Sequence, residues 1–148
     1  MPDELPPDDP HLRPDGASDA TVAAVGKVTE ALEWVERARG HLYDFHQMMG
    51  HADLLLGDAA DALADAGHDD IAGDLREQLV GRNALEGRWS FQIVEEFDDG
   101  YWADARAAER SVRDALLAGR RHVFESEMKE ERRTHGRRHH EARPEPGQ

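Results

Sequence analysis

The chain has no cysteine in its 148 residues. Disulfides, thiolate metal sites, iron–sulfur clusters and cysteine nucleophiles are excluded together. Lysine is almost missing too: of the 18 Lys and Arg residues, only Lys27 and Lys129 are lysines. With Ala, Asp and Gly abundant, that bias describes a GC-rich genome and concerns the host, not the function. No run of 18 apolar residues occurs, so no membrane span is expected. No apolar segment follows a basic start, so no signal peptide is expected either, and the cytoplasm is the default compartment. No stretch alternates polar and apolar residues as a half-buried strand would. No Gly-x-Ser-x-Gly and no phosphate-cradling glycine loop is present, and neither Ser90 nor Ser111 has a base nearby in the sequence.

Acid is what the chain has in excess, with a formal net charge of −14. Residues 1–20 carry six acids and one arginine, and residues 129–148 carry six bases and four acids. Removing −5 and +2 from −14 leaves −11 for residues 21–128. A body this acidic repels anionic membrane and nucleic acid, so neither is an expected partner. Five of the seven prolines fall in residues 1–18. That stretch is expected to be a disordered acidic arm, residues 19–128 a helical domain, and residues 129–148 a disordered basic tail.

The helical reading rests on periodicity. Ser18, Asp19 and Thr21 suit an N-cap. From there Val25, Val28, Leu32, Val35, Arg39, Leu42, His46 and Met49 follow steps of three and four. Trp34, Ala38 and Phe45 widen that stripe. The pattern resumes to Ala66, with Gly67 placed as a C′ residue. Gly40 and Gly50 each weaken the helix by roughly 1 kcal/mol, so a bend or break at Gly50 is open. A short helix with Ile71, Leu75, Leu79 and Val80 on its apolar side follows, ending at Gly81. Asn83 and Glu86 have capping-box spacing. A second long helix then carries Val94, Phe97, Tyr101, Ala105, Ala108, Val112, Leu116 and Val123 in phase, and is expected to run to about Met128.

The fold expected is therefore all-α: two long antiparallel helices joined by a short one, a hairpin of four-helix-bundle type. Two such rods cannot bury their whole seam alone. Either the first breaks near Gly50 and folds back, or two chains pair, which makes a homo-oligomer or a partner protein the expected company. In a hairpin turning near residue 78, Tyr101 would lie near Leu55.

Candidate chemistry centres on His41–Asp53, HLYDFHQMMGHAD. His41, His46 and His51 are five residues apart, about 140° around a helix, so they share no face. A zinc-protease pair needs i, i+4. His46, Gly50 and Asp53 do share a stripe, and the glycine clears room beside the imidazole. His51 shares another stripe with Tyr43. Glu95 and Asp99 are stacked carboxylates at i, i+4, and Glu96 heads a second row, a spacing that repels unless water or a cation compensates. The metal-ligand candidates are thus His46, His51, Asp53, Glu95 and Glu96. Di-metal bundle proteins need Glu-x-x-His on facing helices, and this chain has none. The aromatics Tyr43, Trp89 and Tyr101, with Arg88 beside Trp89, are the candidate cofactor- or ligand-binding residues. No cofactor follows from these residues; a divalent metal is the one such a site would take.

The pairing of HLYDFHQMMGHAD with GRWSFQIVEEFDD resembles an uncharacterised family of small actinobacterial helical proteins. The resemblance covers residues 25–115 and implies a host, with no activity and no functional residue attached. The expected function is that of a binding or structural module. The alternative is a metal- or cofactor-binding helical protein, oxidoreductase by class, built on His46 and nearby carboxylates.

Overall fold

The computed structural model describes residues 8–143. It is all-α, with no strand among the described residues. The elements are α1 (Asp19–Asp65), α2 (Asp69–Gln78), α3 (Ser90–Phe97), a π-helical segment (Asp98–Trp102), α4 (Ala103–Leu117) and α5 (Val123–Arg132). None is long and apolar enough to cross a membrane.

Helix α1 runs for 47 residues without interruption. Ser18 caps it: its hydroxyl accepts the Thr21 N–H at 3.1 Å, satisfying a donor that has no partner inside the helix. Gly50 does not break it. Propensity costs of about 1 kcal/mol are small beside the packing of a long apolar face. The helix ends in a Schellman motif. Gly67 sits at φ +90°, its N–H donates to Ala64 and the His68 N–H donates to Leu63.

The second long helix is not continuous. Extra residues loop out as the π segment, and α4 stops at Leu117. There Ala118 and Gly119 both take positive φ, and the Gly119 N–H donates to the Arg113 carbonyl. The in-phase Val123 belongs to a separate helix, α5. Asn83 and Glu86 cap nothing. The cap forms instead at Trp89, whose N–H donates to Gln92 Oε1 at 3.0 Å.

The chain divides into two compact units. The described part of unit 1 is residues 8–33 with 105–143. Its core is Val22, Val25, Leu117 and Val123, with Ala17 and Val112 against them. Beside it Arg113 pairs with Glu109 at 2.9 Å and donates to the Gly119 carbonyl, closing the end of α4. The arm and tail, expected to be unstructured, make specific contacts here. Arg13 bridges Asp19 and Glu127, buried Asp9 pairs with Arg143 at 2.6 Å, and buried Arg133 pairs with Glu130. These contacts are charge pairs rather than apolar packing. For residues 1–7 and 144–148 the expectation lies outside the described residues.

Unit 2 is residues 34–104. Its buried apolar residues are only Ala60, Ala72 and Val94. Polar contacts tie its elements together. Gly81 donates its N–H to Asp53 at 2.7 Å, and Arg76 pairs with Asp61 at 2.6 Å.

Candidate functional site

The densest side-chain cluster of unit 2 forms around Arg39, the charged exception on the first helix's apolar seam. The π segment makes it possible. A π turn shifts the phase of a helix by inserting a residue, and such turns recur at functional sites. Here it carries Asp98 and Trp102 at its two ends. Arg39 Nε donates to Asp98 Oδ1 at 2.7 Å and its NH2 donates to Oδ2 at 3.1 Å, a bidentate fork. Tyr43 donates its hydroxyl to the same Oδ2 at 2.9 Å. The guanidinium lies 3.8 Å from the Trp102 ring centre and 4.9 Å from that of Tyr43, both within cation–π range. Trp102 Nε1 in turn donates to Glu36 Oε1 at 3.0 Å.

The electrostatics of this cluster argue against proton transfer. The Arg39 guanidinium holds the Asp98 carboxyl below its ordinary range. The hydrogen bond to Asp98 raises both the Arg39 guanidinium and the Tyr43 hydroxyl above theirs. Each group is pushed further into the protonation state it already holds at neutral pH, whereas a general acid or base works best with a pKa near the operating pH. The cluster is a brace.

The residues singled out from sequence are distributed as follows. Tyr43 belongs to the brace. His46 Nδ1 lies 2.7 Å from Ser90 Oγ, so Ser90 has a histidine partner that sequence proximity did not show. Asp53 accepts from Gly81, so His46 and Asp53, though on one stripe, serve different partners. His51 and Glu95 are exposed. Arg88 and Glu96 are brought together as an exposed ion pair. Trp89 packs on Phe91 at 5.1 Å and Tyr101 stacks on Phe97 at 6.0 Å, both largely exposed. The hairpin turning near residue 78 is corrected: Arg39 meets Asp98 and His46 meets Ser90, so Tyr101 belongs at the level of Glu36, not Leu55.

Sequence reasoning missed Asp98, Trp102 and Glu36. The usable signal was Arg39 itself, because an arginine on an apolar seam needs a facing carboxylate. It also missed Glu33, His122 and Glu125 in unit 1, whose potential ligand atoms all lie within 4.8 Å of one another. They come from two separated stretches, and no spacing rule joins them.

A second feature of unit 2 is apolar. Trp34, Phe45, Met48 and Leu55 are 60%, 39%, 63% and 53% exposed on α1. Trp34 and Phe45 were expected to widen the seam, while Met48 and Leu55 were not placed on it. They form their own row, turned away from the side that carries Arg39, His46 and Asp53. Comparison with protein-family models, curated proteins and solved structures gave no match.

Proposed function

We propose that this chain is a helical binding module that works by presenting the outer row of α1 to another protein surface. The observation that carries the reading is the exposure of Trp34, Phe45, Met48 and Leu55 on a helix whose other side is already engaged. Large apolar side chains in a contiguous exposed row mark an interaction surface on a monomer. The Arg39 brace fits this role, since it fixes α1 against the π segment and pre-organises the row. Part of the same proposal is the antiparallel hairpin of bundle type. Its support is the order of the contacts: Glu36, Arg39 and His46 meet Trp102, Asp98 and Ser90, so partner numbers fall as α1 numbers rise. The resemblance to the actinobacterial helical family is kept with it, supplying a host and no activity.

The test is photo-cross-linking in the host cell. A benzophenone amino acid replaces Phe45, Leu55 or, as a control, Leu54, which is 69% exposed but lies off the row. The expected outcome is a protein adduct from positions 45 and 55 and none from 54. Absence of adducts at 45 and 55, or equal labelling at 54, contradicts the reading.

A further inference from the structure

We propose that the occupant of this row is a second copy of the same chain, docked antiparallel. The inference rests on the binding-module reading above and names its partner. Along α1 the row runs Trp34, Ala38, His41, Phe45, Met48, Ala52, Leu55 and Ala59. Its steps alternate four and three without a slip, the seven-residue repeat of a helix–helix seam. All are exposed except half-buried Ala52. Towards the N-terminus Ala31 extends the row by one small position and Lys27 then ends it. All the large residues of the seam, from Trp34 to Leu55, lie on the α1 residues of unit 2.

The row has two kinds of position. One set is large: Trp34, His41, Met48 and Leu55. The other is alanine, interrupted once by Phe45. In a parallel, in-register pair each position meets itself. Trp34 would then face Trp34 while Ala38 faced Ala38, alternating overpacked layers with voids. Antiparallel pairing about a two-fold axis between His46 and Gln47 does the opposite. Ala38 then meets Leu55 of the second copy, Ala52 meets His41, Ala59 meets Trp34, and Phe45 meets Met48. Each small residue faces a large one, and the central layer fills with two long side chains. Applied in both directions, the set makes eight layers over about 38 Å of helix.

Charge selects the same register independently. Arg37, Asp44, His51 and Asp58 flank the large positions at seven-residue intervals, and Arg37 already lies over the Trp34 ring at 4.6 Å. Antiparallel pairs bring such flanking positions together across the seam. With the axis between His46 and Gln47, Arg37 lies beside Asp58 and Asp44 beside His51. A shift of one heptad in one direction puts Asp44 against Asp44 of the second copy. A shift in the other puts Asp44 against Asp58. Like charges at an interface disfavour those registers. In a parallel pair the flanking charges would instead meet Val35, Leu42, Met49 and Leu56, with no pairing at all.

The full chain tests this in solution. Light scattering at roughly 100 µM, well above a micromolar Kd, is expected to give twice the chain mass of 16.6 kDa. Met48→Glu and, separately, Leu55→Arg are expected to give the single mass with unchanged helical circular dichroism. A wild-type mass of 16.6 kDa overturns the inference. Orientation is read with a short bis-maleimide linker, because the chain has no cysteine of its own. Residues 38 and 55 lie about 26 Å apart along one helix, beyond such a linker. Ala38→Cys alone and Leu55→Cys alone are expected to stay unlinked, while the two mixed give a covalent dimer. Linking of Ala38→Cys to itself means a parallel pair and overturns the proposal. A monomer whose Phe45 photo-adduct is a different protein overturns this inference and leaves the binding-module reading standing. A monomer with no adduct removes both.

Discussion

The two units of this chain solve the burial problem differently. In unit 1, Val22, Val25, Leu117 and Val123 close over one another, and Leu117 is 2% exposed. In unit 2 the buried apolar residues are two alanines and a valine. Twelve of the fifteen large exposed hydrophobics of the described residues lie there, all but Leu116, Phe124 and Met128. Unit 2 replaces a packed core with a polar brace on one side of α1 and leaves an apolar row on the other. Small domains are marginal because little of their surface is buried, so a unit of this kind gains most from an added surface. The contrast teaches that one continuous helix can be finished as a core element along part of its length and carry an exposed apolar row along the rest.

The largest expected effect breaks the closed core. Leu117→Ala should destabilise by about 3 kcal/mol, and chemical denaturation should give the same loss at every protein concentration. Next is the brace. Arg39→Leu removes the cation paired with the Asp98 carboxylate and leaves it only the Tyr43 hydroxyl as donor, and is expected to lower Tm by roughly 5 °C or more. Asp98→Asn alone should cost less, because the amide oxygen in place of Oδ2 still accepts from Arg39 NH2 and Tyr43, although its NH2 then faces the Arg39 Nε–H. Leu55→Ala sharpens the comparison further. It should cost about 1–2 kcal/mol where the row is covered, and the cost should vanish on dilution, unlike that of Leu117→Ala.

Smaller effects separate the units through glycine. A methyl added at Gly50 meets nothing within 4 Å, so Gly50→Ala should stabilise by up to about 1 kcal/mol. At Gly26 the added methyl lies 3.2 Å from Phe124 Cβ, so Gly26→Ala should gain less or lose. The smallest effect is one of pH. The folded Asp98 carboxyl is held below its ordinary value by Arg39. Its contribution is therefore complete above the unfolded aspartate pKa of about 3.9 and is lost as pH falls below it towards the folded value. Thermal melts from pH 6 to pH 3 should show this acid-side loss in the wild type and a shallower one in Asp98→Asn.

Much of the helical framework was legible in the sequence. Ser18 and Gly67 marked ends correctly because capping chemistry is local, whereas α2 stops at Gln78, short of the end expected at Gly81. The break at Ala118 was not legible, because an alanine with φ of +52° carries no local signal and is held by Arg113 reaching the Gly119 carbonyl. The π segment was half visible. Asp98-Asp99-Gly100 read as an interruption of propensity, but its use depends on Arg39, 59 residues away. The exposed row was present as Trp34, Ala38 and Phe45 yet was merged with the inner seam. Two apolar stripes on one helix differ only by a rotation of roughly 100°, and hydrophobicity alone does not say which side is covered. For the same reason His46 drew attention as a ligand, while its partner turned out to be Ser90, placed by tertiary packing.

The central claim is that the α1 row pairs antiparallel about an axis near His46. Its most direct measurement is the distance between nitroxide labels on Asp65→Cys in the full chain, read by pulsed electron resonance. Asp65 lies 18.5 residues from that axis, so an antiparallel dimer should give a separation of about 55 Å. A separation of roughly 10–20 Å, the spacing of neighbouring parallel helices with their labels, or no inter-chain distance at all, would contradict the account.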